Sequence, residues 1–93
     1  MSVYVFPAII HKEGETYGVV FPDLPGCVTV GDTQQEIALN AVEALSGHLE
    51  VMFDHDDRIP EPSAIETLKL DRVGGDIGTL LVTAYAVKSK TAA

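Results

Sequence analysis

The apolar pattern changes period once along this chain, at Gly31-Asp32-Thr33, and that change restricts the fold more than any other feature. Before it lie three short runs rich in β-branched and aromatic residues: Val3 to Ile10, Thr16 to Phe21 and Cys27 to Val30. Such runs, separated by turn residues, read as strands. After it, Ile37, Ala38, Ala41, Leu45, Leu49 and Met52 fall on one face of a helix running to about Phe53. Thr33 followed by Glu36 fits a capping box at its start, with Asp32 as a competing N-cap. Loops this short join consecutive strands as an antiparallel meander. The first loop is Lys12-Glu13-Gly14-Glu15. In the second, Phe21-Pro22-Asp23-Leu24-Pro25-Gly26, Pro25 and Gly26 suit positions i+1 and i+2 of a type II turn. Both faces of the first strand are apolar, which predicts burial on both sides, and Pro7 within it marks a bulge or an unpaired stretch.

Beyond the helix, Pro60 and Pro62 predict an extended linker. Ser63 and Glu66 form a second capping box, predicting a short helix from Ala64 to about Leu70. Gly74-Gly75-Asp76 reads as a turn, Thr79 to Val87 as the last strand, and residues 88–93 as a loose tail. The order is β-β-β-α-(α)-β, an α+β two-layer sandwich with one long helix packed on the sheet, and residues 1–93 form a single domain. A chain of 93 residues that is 46% hydrophobic and 22% charged has a globular rather than a disordered composition.

Several classes of function are disfavoured. Leu80-Leu81-Val82 and similar runs are far too short to cross a bilayer, and Met1 to Phe6 lacks the basic start of a signal peptide. With Cys27 as the only cysteine, no intrachain disulfide can form and structural zinc is disfavoured, so a reducing cytoplasm is the simplest location. Fourteen acids against six Lys or Arg give a net charge of −8, which repels phosphate backbones and attracts basic partners. His11, His48 and His55 are not spaced as a ligand cluster. The acids around His55 lack the glycine and spaced ligands of a calcium loop, and neither a cofactor nor a metal is expected. A metal-dependent nuclease needs carboxylates converging on divalent ions, and Val3 to Ile10 contains none. No catalytic residues are therefore assigned.

An ordered set of motifs carries a family resemblance. It comprises Tyr4, Pro7-Ala8 and Ile9-Ile10; Phe21-Pro22-Asp23-Leu24-Pro25-Gly26-Cys27; Gly31-Asp32-Thr33 with Glu36; Ala41-Val42-Glu43-Ala44-Leu45; and Ile59-Pro60-Glu61-Pro62-Ser63. From Tyr4 to Ser63 the chain resembles the HicB antitoxins. The resemblance implies a partly degenerate RNase H-like fold whose last strand lies parallel beside the first. It implies a partner, a small basic HicA-type toxin that cleaves messenger RNA, and assembly into dimers or tetramers. Many members of the family continue into a DNA-binding module. Here only Lys88 and Lys90 add positive charge after the last strand, so direct nucleic-acid binding by this chain is not expected.

The expected function is that of an antitoxin, which covers the toxin's surface with the help of charge complementarity. The alternative is a stand-alone oligomeric regulator or scaffold without a toxin. Partner contacts are assigned to Asp23 and Leu24 in the turn, and to Glu43, Glu50 and Asp54 on the polar side of the helix. Glu36, Glu43 and Glu50 recur every seventh residue and so form a stripe opposite the apolar face. Phe21, Pro22, Pro25, Gly26, Gly31, Thr33 and Glu36 are read as the structural motif that builds the turn and starts the helix.

Overall fold

The computed structural model describes residues 2–86. The elements are β1 (Ser2–Glu13), β2 (Thr16–Val20), β3 (Val28–Gly31), α1 (Gln34–Asp54), a single 3-10 turn (Ile65–Thr67) and β4 (Asp76–Ala86). The strands form one four-stranded sheet in the order β3-β2-β1-β4, with every neighbouring pair antiparallel. The fold is α+β, one sheet and one long helix. The tail assigned to residues 88–93 lies outside the described residues.

The capping residues act as their spacing suggests. The Thr33 hydroxyl accepts from the Glu36 N–H at 3.0 Å, and the Glu36 carboxylate reaches back to the Asp32 N–H at 2.8 Å. Gly31 lets the helix begin this close to the sheet, because a Cβ there would stand 3.0 Å from Ile37 Cγ2 and 3.1 Å from Glu36 Cβ. Ile37, Ala41, Leu45 and Leu49 then pack against Phe6, Ala8, Val19, Val82 and Ala84. Ala38, expected on this face, is exposed. The buried line follows i, i+4 steps and winds around the helix, and in the first turn Ala38 points about 100° away from Ile37.

Three expectations need correction. The last strand runs antiparallel to β1, not parallel: Ser2 pairs with Ala86 and His11 with Asp76. The cause is the linker. α1 spans about 31 Å and brings Phe53 to Tyr4, near the start of β1, with ring centroids 6.2 Å apart. Residues 55–75 then carry the chain back along the sheet to the far end of β1, where the Lys12 N–H donates to the Gly75 carbonyl at 2.9 Å. A strand that starts there beside β1 must run against it.

Burial of β1 is the second correction. Phe6 and Ala8 are fully buried, but Val3 is 56% and Val5 40% exposed. The one helix covers one face, and among the described residues nothing covers the other. The third is the helix expected over Ala64 to Leu70, which shrinks to the single turn Ile65–Thr67. Ser63 does not cap it, because its hydroxyl donates to Asp23 instead, at 2.7 Å. A short segment with no buried residue has little else to hold it helical.

Candidate partner interface

The turn after β2 is two consecutive β-turns sharing Leu24. The Leu24 N–H donates to the Phe21 carbonyl at 3.0 Å, and the Cys27 N–H to the Leu24 carbonyl at 2.9 Å. Gly26 has φ +88°, the left-handed value that position i+2 of a type II turn requires. The Phe21 N–H closes the loop on the Cys27 carbonyl at 3.1 Å.

This geometry divides the expected contact residues. Leu24 is 1% exposed and belongs to the core, so its assignment to a partner surface is corrected: the turn folds its apolar side chain under the helix. Asp23 is half-buried and has an internal task. Its two carboxylate oxygens accept from the Ser63 N–H and hydroxyl, each at 2.7 Å, across 40 residues of sequence. Asp23 thereby pins the Pro60 to Ser63 linker against the turn, a role absent from the expectations drawn from sequence. Asp23→Ala is expected to cost about 1–2 kcal/mol, the range for losing hydrogen bonds to a charged acceptor near the surface. It should also speed amide exchange at Ser63. Unchanged exchange there would mean that the tie does not hold in solution.

Glu43, Glu50 and Asp54 lie on the outer side of α1, exposed and turned away from Ile37, Ala41, Leu45 and Leu49. The helix ends in a Schellman arrangement: the Asp57 N–H donates to the Met52 carbonyl at 2.8 Å and the Asp56 N–H to the Phe53 carbonyl at 3.1 Å. Asp56 holds the left-handed position at φ 55°, where glycine is usual. The last turn carries no basic residue. Carboxylates thus gather where the helix dipole leaves partial negative charge, an arrangement that disfavours the isolated helix.

A cleft of about 460 Å3 lies beside these acids, between Asp23 and Pro25 of the turn, His48 and Met52 of α1, and Arg58 and Pro60 of the linker. Among the described residues, no three His, Cys, Asp or Glu side chains are placed to hold a metal ion. Cys27 is buried, its Sγ donating to the Ala44 carbonyl at 3.6 Å. Burial pushes its thiol up to about 11. β1 carries its only carboxylate at its last residue, Glu13, exposed beside the hairpin turn. No described helix is long and apolar enough to cross a membrane.

Comparison with known proteins adds the following. Residues 6–85 match the family described as HicB-like antitoxin of bacterial toxin–antitoxin systems. An uncharacterised 14.9 kDa protein of Haemophilus phage HP1 is 44% identical over 62 residues, 67% of this chain and 47% of that protein, so the chain spans about half of its length. The N-terminal domain of the Burkholderia pseudomallei antitoxin HicB superposes with a TM-score of 0.68 at 31% identity, over 85% of this chain and 95% of that one. A chain of a HicA3 and HicB3 toxin–antitoxin complex superposes with a TM-score of 0.67 at 28% identity, over 90% of this chain and 99% of that one.

Proposed function

The chain belongs to the HicB-like antitoxin family of bacterial toxin–antitoxin systems, and from that premise we propose that it neutralises a small, basic, mRNA-cleaving HicA-type toxin by covering its RNA-binding surface. The observation that carries the charge-guided mechanism is the outer face of α1. Glu43, Glu50 and Asp54 are exposed there in one acidic row, which runs from the middle of the helix to its last residue. Acids placed against the helix dipole serve a basic partner better than they serve the helix. The activity is binding rather than catalysis, in keeping with a β1 whose single acid sits at its end. The net charge of −8 argues against nucleic-acid binding by this chain itself. The protein acts in the cytoplasm, where its toxin meets messenger RNA, and assembles with itself as a dimer or tetramer. The rival reading, an oligomeric regulator without a toxin, draws its support from the apolar face of the sheet that no described residue covers.

The test uses a HicA-type toxin, the partner this reading requires. Equimolar chain should stop RNA cleavage by the toxin. Combining Glu43→Gln, Glu50→Gln and Asp54→Asn should slow association about tenfold at low salt and flatten its salt dependence. Glu50→Gln alone should slightly stabilise the isolated protein. Toxin that keeps cutting RNA at full occupancy of the chain would overturn the antitoxin reading. Association rates unaffected by the three substitutions would remove α1 from the interface.

A further inference from the structure

The two edges of the sheet are protected very differently. β3 is four residues long, and Asn40 Nδ2 of the helix donates to its Val30 carbonyl at 2.9 Å. β4 is eleven residues long, Asp76–Ala86, and forms the opposite edge. After Asp76 it has no charged residue and no proline. Its one irregularity is at its start, where the register slips between Ile10 and His11 and leaves Ile77 as the extra residue. Edge strands of this length are normally blunted by lysine, proline or a central bulge; among the described residues nothing blunts this one.

The ladder shows which backbone groups face outward. The Lys12 N–H points to the β4 side, where it donates to Gly75. By alternation along β1, Tyr4, Phe6, Ala8 and Ile10 bond to β4, while Pro7 and Ile9 face the other way. This is also why Pro7 is tolerated, since its missing N–H would point past the end of β2, whose last pair is Ile9 with Val20. In β4, Leu80, Val82 and Ala84 are then bonded to β1, and Thr79, Leu81, Thr83 and Tyr85 turn their N–H and C=O groups outward. Leu81 and Tyr85 are 54% and 65% exposed, and no described backbone group outside the sheet bonds to any of the four.

We propose that this edge pairs with the β4 edge of a second copy of the chain, antiparallel about a two-fold axis at Leu81, joining two four-stranded sheets into one of eight strands. The strand is complementary to itself about its midpoint. Leu81 meets the partner's Leu81, Thr79 meets the partner's Thr83, and Ile77 meets the partner's Tyr85. Each is a favourable cross-strand combination, and the three central pairs exchange about six backbone hydrogen bonds. Charge selects the occupant. A basic toxin would find no carboxylate along residues 77–86, whereas two chains of net charge −8 meet here without opposing acids. The dimer deepens the self-association included in the proposed function and does not depend on a toxin, so its failure and that of the antitoxin reading are read separately.

Sedimentation velocity on the chain alone, at roughly micromolar to tens of micromolar, provides the test. Wild type should sediment as a dimer. Thr79→Lys with Thr83→Lys sets like charges opposite each other twice and should weaken the dimer at least about tenfold. Thr79→Lys with Thr83→Glu sets each lysine opposite a glutamate of the other copy and should keep the dimer. It also controls for folding, checked by circular dichroism. A monomeric wild type, a Lys/Lys variant as dimeric as wild type, or a folded Lys/Glu variant that is monomeric would each overturn the proposal. RNA-cleavage inhibition by the Lys/Lys variant reports separately on the antitoxin role.

Discussion

Phe6→Ala is expected to cost about 3–5 kcal/mol of folding stability, the range for truncating a buried aromatic residue. Phe6 is fully buried in β1, on the face under α1, in one core with Leu45, Leu49 and Val82. Its ring also stacks with Tyr4 at a centroid distance of 6.4 Å. Small domains are stable by about 5–15 kcal/mol in total, and the single core of this one places it toward the lower end. The variant should therefore be partly unfolded at 37 °C. Val5 is the internal control. It is the preceding residue, points to the other side of the sheet and is 40% exposed, so Val5→Ala should cost under about 1 kcal/mol. Urea unfolding followed by circular dichroism measures both. Similar losses from the two substitutions would mean that the open face of the sheet is covered in solution to the same degree as the helix face.

Alternation told the two faces of β1 apart in the sequence, but both are apolar, and nothing local in Val3, Val5 or Ile9 says which one a single helix will cover. What local rules decide was legible. The capping by Thr33 and Glu36, the turn at Pro25 and Gly26, and the switch from strand to helix at Gly31 all depend on residues within four positions of one another. What depends on distant residues was not. Ser63 and Glu66 satisfy a capping rule, yet a carboxylate 40 residues away takes the Ser63 hydroxyl and N–H. Leu24 sits in a turn among polar and proline neighbours, so it reads as surface until the turn is seen to fold beneath α1. The direction of β4 is written in none of its own residues. It follows from the course of residues 55–75, and a shorter linker would have delivered the strand to the other end of β1. Glu43, Glu50 and Asp54 were legible as a stripe because helical spacing alone puts them opposite Ile37 and Leu45. The position of Glu50 and Asp54 toward the C-terminal end of the helix was legible too, because the apolar pattern stops near Phe53; the left-handed cap at Asp56 was not.

Cys27 should be close to inert in the native protein, with thiol labelling at pH 8 about a hundredfold or more slower than in urea. From sequence it could have been an edge residue or a core residue, and the turn decides the matter. Its N–H donates to Leu24, its carbonyl accepts from Phe21 and its Sγ donates to the Ala44 carbonyl, so it is fastened to both the loop and the helix. With 3% exposure it is removed from water, and burial raises the thiol from 9.0 to about 11. Only the thiolate reacts, and two units of pKa remove about 99% of it at any pH well below both values. The same shift links folding to pH. The folded pKa is higher than the unfolded one, so the neutral thiol's contribution to stability is complete below about pH 9. It is lost as pH rises through about 11. The informative quantity is the difference between wild type and Cys27→Ala, which isolates the thiol. The wild-type urea midpoint should fall more steeply between about pH 9 and 11 than that of the variant. Native labelling as fast as in urea, or parallel pH profiles for the two proteins, would mean that the PDLPG turn opens readily and that Cys27 does not hold it to α1.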